Sequence, residues 1–199
     1  MSGAGIVLAT ILLSGGFSQE RPAADLPKGQ IPDRGRPTEK GDEVPPFDYD
    51  RYFPGKWVFE WRVPETPLGS AGTIQGTEVF EPSEDGRFYR SRVEATGPAG
   101  EFTVDTDIVY EKDLKLLARH RKDSRGFDVV ETGRIGGDLG GFYTIHFGSA
   151  PFTANGHQVR LQTKTRLVSP VHYKVEAKIS VDGGPFKSFG NPWWRKELR

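Results

Sequence analysis

The sequence predicts an all-β fold: an antiparallel up-and-down barrel or clam of about eight to ten strands. Three observations predict it. From Phe53 onward, apolar and polar residues alternate with the period of two expected of strands. The alternating runs recur roughly every ten to fifteen residues, joined by clusters of Gly, Asp, Ser and Pro. No window carries a convincing helical period.

In the first run, Trp57, Phe59 and Trp61 alternate with Val58, Glu60 and Arg62. Thr73 to Phe80 and Arg87 to Ala95 follow, separated by the turn cluster Pro82-Ser83-Glu84-Asp85-Gly86. Phe102 to Tyr110 places Phe102, Val104, Thr106, Ile108 and Tyr110 on one side. Glu111 to Arg119 reads as a turn and the start of a strand, which runs from Leu114 to Arg121. Phe127 to Ile135 and Phe142 to Phe147 are shorter runs. Gln158 to Val168 and Val171 to Val181 are the longest. In the latter, Val171, Tyr173, Val175, Ala177, Ile179 and Val181 alternate strictly. Phe186 to Leu198 closes the series and is broken by Pro192. Short connections favour a meander, and closure into a barrel removes the exposed edges that many strands otherwise present.

The chain has 199 residues, about half of them apolar when Gly is counted, which suits one core. Lys plus Arg equals Asp plus Glu at 27 each. The basic excess expected of a nucleic-acid binder is missing, as is an electrostatic reason to sit on an anionic membrane. There is no cysteine, which excludes disulfides, thiolate metal sites, a cysteine nucleophile and a lipid-modified N-terminal cysteine.

Residues 1–18 read as a signal peptide, implying a secreted or periplasmic protein. Gly5 to Leu13 is an apolar run too short to span a bilayer, and small residues follow it. Cleavage after Ser18 or after Gly16 satisfies the small-residue rule. The run is not preceded by Lys or Arg. Residues 19–50 hold Pro22, Pro27, Pro32, Pro37, Pro45 and Pro46 among many charges, and read as a disordered linker. Residues 51–199 form the barrel domain.

Gly55-Lys56-Trp57 at the start of the first strand, with Trp193-Trp194-Arg195-Lys196 at the end of the chain, resembles the calycin superfamily of lipocalins and fatty-acid-binding-like barrels. The resemblance implies that Arg195 packs over the Trp57 indole and that Gly55, Trp57 and Arg195 close the barrel. The wider order is Gly55-Lys56-Trp57, then Gly69, Gly72 and Gly76, then Gly86-Arg87-Phe88, then Val181-Asp182-Gly183-Gly184. It resembles the DUF1579-type family of bacterial lipocalin-like proteins. That likeness implies a barrel in an often exported setting and brings no catalytic residues.

Chemistry-bearing motifs are sparse. His120, His146, His157 and His172 form no metal-ligand spacing with one another. Asp105 and Asp107 share a strand face, expected to be the solvent side. No Gly-x-Ser-x-Gly elbow is present. Gly136-Gly137-Asp138-Leu139-Gly140-Gly141 precedes a strand rather than a helix, so it reads as a loop at the barrel mouth and not as a phosphate cradle. Of Trp193 and Trp194, one is expected in the core and the other over the barrel end.

No catalytic residue, metal or cofactor is assigned. The leading expectation is a barrel holding a small apolar or amphipathic ligand, with Trp57, Phe59, Trp61 and Tyr173 as wall or floor. Arg119 or His120 is its polar anchor, depending on which face points in. Two alternatives stay open: a hydrolase or isomerase using carboxylate or His chemistry, and an envelope interaction or structural protein. The lining of the interior separates the three, and a one-residue change of register exchanges inside for outside.

Overall fold

The computed structural model describes residues 47–83, 88–137 and 142–198. The expected signal peptide and most of the expected linker lie outside the described residues. A short helix α1 (Tyr49–Tyr52) precedes twelve strands: β1 (Gly55–Val63), β2 (Gly72–Pro82), β3 (Phe88–Gly97), β4 (Gly100–Glu111), β5 (Leu116–Asp123), β6 (Asp128–Gly137), β7 (Tyr143–Ser149), β8 (Phe152–Ala154), β9 (His157–Ser169), β10 (His172–Val181), β11 (Lys187–Gly190) and β12 (Trp193–Lys196). Strands β1 to β7 pair each with the next, then β7 with β9, β9 with β10, β10 with β12, and β12 with β1. Every pairing is antiparallel, so ten strands close a barrel, with β8 and β11 as short additions beside β9 and β10.

Alternation does what the sequence implies. Phe102, Val104, Thr106, Ile108 and Tyr110 of β4 face in, and so do Tyr173, Val175, Ala177 and Ile179 of β10. Asp105 and Asp107 face out, paired with Arg92 and Arg90 of the neighbouring strand. The outer wall therefore carries cross-strand ion pairs. A lipid-facing barrel has the reverse arrangement, an apolar band outside. Among the described residues no helix is long and apolar enough to cross a membrane.

One end of the barrel is plugged. Phe47, Tyr49 and Phe53 are buried there. Tyr49 stacks on Phe53 with centroids 4.6 Å apart and lies 4.0 Å from Tyr89, while Phe47 meets Tyr110 and Tyr143. Polar ends of the same rings fix the plug: Tyr89 donates to Asp50, Tyr110 to the Phe47 carbonyl, and the Trp57 indole to the Phe53 carbonyl. This corrects the boundary expected at residue 51. Residues 47–50 belong to the barrel because three aromatic side chains within seven residues bury apolar area that a solvated linker leaves in water.

The last run divides into two strands because Pro192 has no N–H to give to a ladder. Its carbonyl still accepts from Val175 N. Before the break, β11 is laddered to β10 and not to β1. Instead the Trp61 indole donates to the Phe189 carbonyl at 2.9 Å and bridges that seam. Gly190 makes the approach possible: its φ is +113°, and a Cβ there would run into the Trp61 indole nitrogen and the Arg62 carbonyl.

The predicted closure is present with a different cation. Lys196 Nζ lies 5.1 Å over the Trp57 ring and donates to the Tyr52 carbonyl. Arg195 is exposed. Register is the reason. Lys196 pairs with Trp57 and shares its inward face, whereas Arg195 pairs with Val58 and points out.

Candidate ligand-binding site

Within the barrel lies a cavity of ≈ 250 Å³. It runs from the plug, where Tyr49 and Phe53 form its floor, to the opposite end, where the segment Pro64 to Ser70 and the turn around Pro98 and Ala99 line it. Between these ends the wall is mixed. Apolar side chains such as Ile74, Val93, Val104, Phe152 and Phe189 dominate towards the mouth. Deeper in, Glu78, Ser91, Thr106, Arg119, Arg121 and Thr163 bring polar atoms to the surface.

The polar base has two parts. In one, Glu78 of β2 accepts from Ser91 Oγ at 2.9 Å and from the Trp194 indole at 3.1 Å, with the Tyr173 hydroxyl at 3.4 Å. Burial pushes its carboxyl pKa up. The Ser91 hydrogen bond, the Arg121 and Arg119 charges, and the Trp194 hydrogen bond oppose that shift without cancelling it. Burial likewise holds the phenols of Tyr49 and Tyr173 well above their usual range, with the nearby Glu78 adding to it.

In the other part, Arg119 Nε donates to Glu131 Oε2 at 2.6 Å, and Arg121 lies 3.6 Å from the same oxygen. Glu131 of β6 is fully buried. Burial alone would raise its pKa, but the two guanidinium groups outweigh it and hold the carboxyl below the ordinary value. Burial also works against the Arg119 charge, and Glu131 more than compensates. The Arg119 guanidinium is seated over the Phe147 ring at 3.9 Å. Gly133 makes that seat: a Cβ there would stand 2.5 Å from Phe147 Cδ1. Glu131 Oε1 and Thr163 Oγ1 are buried without a hydrogen-bond partner among the described residues.

The structure brings together Phe59, Trp61, Arg119 and Tyr173 on the cavity wall. Two anticipated ligand residues stand elsewhere. Trp57 is buried at the plugged end, 4.7 Å from Tyr173, behind the cavity rather than on it. His120 faces outward and bonds Asp128, because it alternates with Arg119 and Arg121, which face in. His146 and His157 are exposed, the latter bonded to Asp182, and half-buried His172 lies on the outward face of β10. Among the described residues no cluster suited to a metal ion occurs. Trp194 is a core residue stacked on Phe59 and Tyr173, and Trp193 is exposed. Residues 138–141 of the glycine loop lie outside the described residues. Their flanking strands meet at the plugged end, where Gly137 pairs with Tyr143, and not at the mouth.

Sequence reasoning missed Glu78, Arg121, Glu131 and Thr163. A signal was present. Ile74, Gly76, Glu78 and Phe80 share one face of β2, and Val129, Glu131, Gly133 and Ile135 share one face of β6. A carboxylate at an inward position within an apolar series marks a buried polar site.

No known protein family's sequence profile matches the chain, and no curated protein matches it. Among solved structures it is similar to the crystal structure of Rv2717c from M. tuberculosis. The TM-score is 0.60 at 11% identity, over 73% of this chain and 93% of that one. It also aligns with a de novo designed fluorescence-activating β-barrel at TM-score 0.33 and 16% identity, over 76% of this chain and 99% of the design. The first likeness shows a shared barrel fold and nothing about chemistry; the second is too distant to add to it.

Proposed function

We propose that the protein is an exported, lipocalin-like barrel that binds a small amphipathic molecule in its cavity. The carrying observation is the cavity itself: ≈ 250 Å³, closed by aromatic rings at one end, mostly apolar along its upper wall and charged at its base. Pockets that combine an apolar lining with a few placed polar groups are the usual form of small-molecule sites. A purely structural barrel would fill this space with side chains. The His residues and the Asp105–Asp107 pair that suggested catalysis stand outside the cavity. The calycin resemblance, with Lys196 rather than Arg195 as the cation over Trp57, supports the barrel part of this reading and not its ligand.

Titration with the neutral fluorophore N-phenyl-1-naphthylamine tests it. Wild type enhances the fluorescence, and Val93→Trp, which places an indole in the cavity, abolishes the enhancement. Equal enhancement by the folded variant would overturn the assignment, as would a filled interior without binding. Export rests on the apolar run and small residues of positions 1–18. The mature N-terminus, measured by mass spectrometry of protein from the periplasm or medium, is expected after residue 16 or 18. An intact leader on cytoplasmic protein would refute export.

A further inference from the structure

Lys plus Arg equals Asp plus Glu over the whole chain, at 27 each, but the fold does not spread these charges evenly. On the outer wall of β3 and β4 the cations have carboxylates beside them. Arg90 lies 3.4 Å from Asp107, and Arg92 lies 2.8 Å from Asp105. The outer wall of β6, β7, β9 and β10 is built otherwise. Its outward positions hold Arg134, Lys164, Arg166, Lys174 and Lys178, with Glu176 as the one carboxylate among the described residues there. None of these side chains forms an ion pair among the described residues.

Strand register makes this wall costly. Lys174 stands directly opposite Arg166, and His146 stands between Arg134 and Lys164. Like charges opposite each other in a ladder destabilise it. A stretch of surface kept only for solubility would alternate the signs, as β3 and β4 do. Neighbouring strands are about 5 Å apart, well inside the Debye length of about 8 Å at physiological salt. An anionic surface therefore meets these cations as a group.

Two apolar side chains share the wall. Val168 follows Arg166 on the same face of β9 and is 38% exposed. Trp193 of β12 pairs with Lys174 and is 48% exposed, with Lys174 Nζ 5.9 Å over its ring. Cations set beside a half-exposed indole suit a layer of lipid headgroups, where the ring sits between water and acyl chains. A single-stranded nucleic acid calls for successive stacking rings, and this wall offers one. Lys164, Lys174 and Lys178 are mobile point charges without the fixed fork of Arg, which fits a fluid layer of phosphates.

We propose that the outer wall of β6, β7, β9 and β10 docks on the surface of a bilayer containing anionic phospholipid, without crossing it, and that the Trp193 ring lies at headgroup level. This docking is independent of what the cavity holds.

The experiment is co-sedimentation of the full chain with vesicles of phosphatidylcholine, alone or with about 30% phosphatidylglycerol. Affinity is expected to be at least about fiftyfold higher for the anionic vesicles, and the difference to collapse as salt rises from about 0.05 M to about 0.5 M. Each cation contributes roughly fivefold. Lys164→Gln/Lys174→Gln is therefore expected to lose roughly twenty-five-fold on anionic vesicles and nothing on neutral ones. Arg90→Gln/Asp107→Asn removes a matched pair from the β3–β4 wall and is expected to change affinity by less than about twofold. Trp193→Phe is expected to abolish most of the blue shift in tryptophan emission on binding, because the other indoles are already buried or half-buried.

Equal affinity for neutral and anionic vesicles would overturn the proposal, as would anionic binding that survives Lys164→Gln/Lys174→Gln. A blue shift that survives Trp193→Phe would overturn the placement of that ring. Tighter binding to a single-stranded oligothymidine than to anionic vesicles at equal phosphate would make nucleic acid the partner and overturn the bilayer. Should the double variant not fold, Arg166→Gln or Lys178→Gln takes its place, each with a roughly fivefold loss expected.

Discussion

Arg119→Met is the substitution with the most calculable outcome. Glu131 is fully buried and holds two positive partners, Arg119 Nε at 2.6 Å and Arg121 at 3.6 Å. Its second oxygen has none among the described residues. Methionine fills much of the same space and keeps contact with Phe147, so packing is a minor part of the change. What remains is a buried carboxylate with one partner, Arg121, at 3.6 Å. Breaking a buried pair on one side costs about 3–5 kcal/mol, and the retained Arg121 places this case near the lower figure. Urea unfolding of the full chain, followed by tryptophan fluorescence, reads it directly. With a slope of about 2–3 kcal/mol/M, the midpoint falls by about 1 M.

The double variant Arg119→Met/Glu131→Gln removes the stranded charge and recovers to within about 1 kcal/mol of wild type. Acid supplies an independent check of sign. The folded pKa of Glu131 lies below its unfolded value. Its contribution is therefore complete above about pH 4.3 and is lost as pH falls through the folded value. In Arg119→Met that contribution is largely gone, so the two stabilities converge in acid. A single variant that loses less than about 1 kcal/mol, or a double variant no more stable than the single, would refute the assignment of Arg119 and Glu131 as a coupled buried pair.

Three further outcomes are expected. Gly133→Ala drives a Cβ to within 2.5 Å of the Phe147 ring; it should cost about 1–3 kcal/mol in urea unfolding, and a neutral result would mean that Phe147 does not hold the place described. Lys196→Met should cost about 1 kcal/mol by losing the cation over Trp57 and the bond to the Tyr52 carbonyl, whereas Arg195→Ala should stay within about 0.5 kcal/mol; the reverse order would restore Arg195 as the closing cation. Tyr49 and Tyr173 have folded pKa values well above the unfolded one, so their contribution is complete below about pH 10 and is lost as pH rises through the folded values; phenolate absorbance should therefore show tyrosines that titrate only when the circular dichroism of the barrel is lost.

The strands were legible because period two is a local property. Val171 to Val181 and Phe102 to Tyr110 announce both their extent and their inward face, and Asp105 and Asp107 fall outside as their alternation requires. The plug was not legible. Phe47 and Tyr49 follow a proline-rich stretch, and nothing local says that their rings enter a barrel end built by Tyr89, Tyr110 and Tyr143, 40 to 96 positions away. Lys196 was missed for a different reason. Trp193-Trp194-Arg195-Lys196 offers an aromatic and a cation at both parities, and only the pairing with β1 selects one. The site failed at the level of pairs: Arg119 was singled out, but Glu131, twelve positions on, becomes its partner through the β5–β6 register. Glu78 and Tyr173 are 95 positions apart and meet through barrel closure.

Stability does not explain why charge sits in this barrel. Apolar replacement of a buried ion pair is commonly neutral or favourable, and the plug already supplies an aromatic core at one end. The charged base lies between that core and a mouth where apolar side chains such as Ile74, Phe152 and Phe189 share the lining with Glu101, Asp123 and Arg125. The double variant Arg119→Met/Glu131→Gln should be nearly as stable as wild type and should bind the neutral fluorophore N-phenyl-1-naphthylamine at least as tightly, since the charged pair offers that molecule no partner. If it lost both stability and fluorophore binding, the pair would be needed to keep the cavity formed.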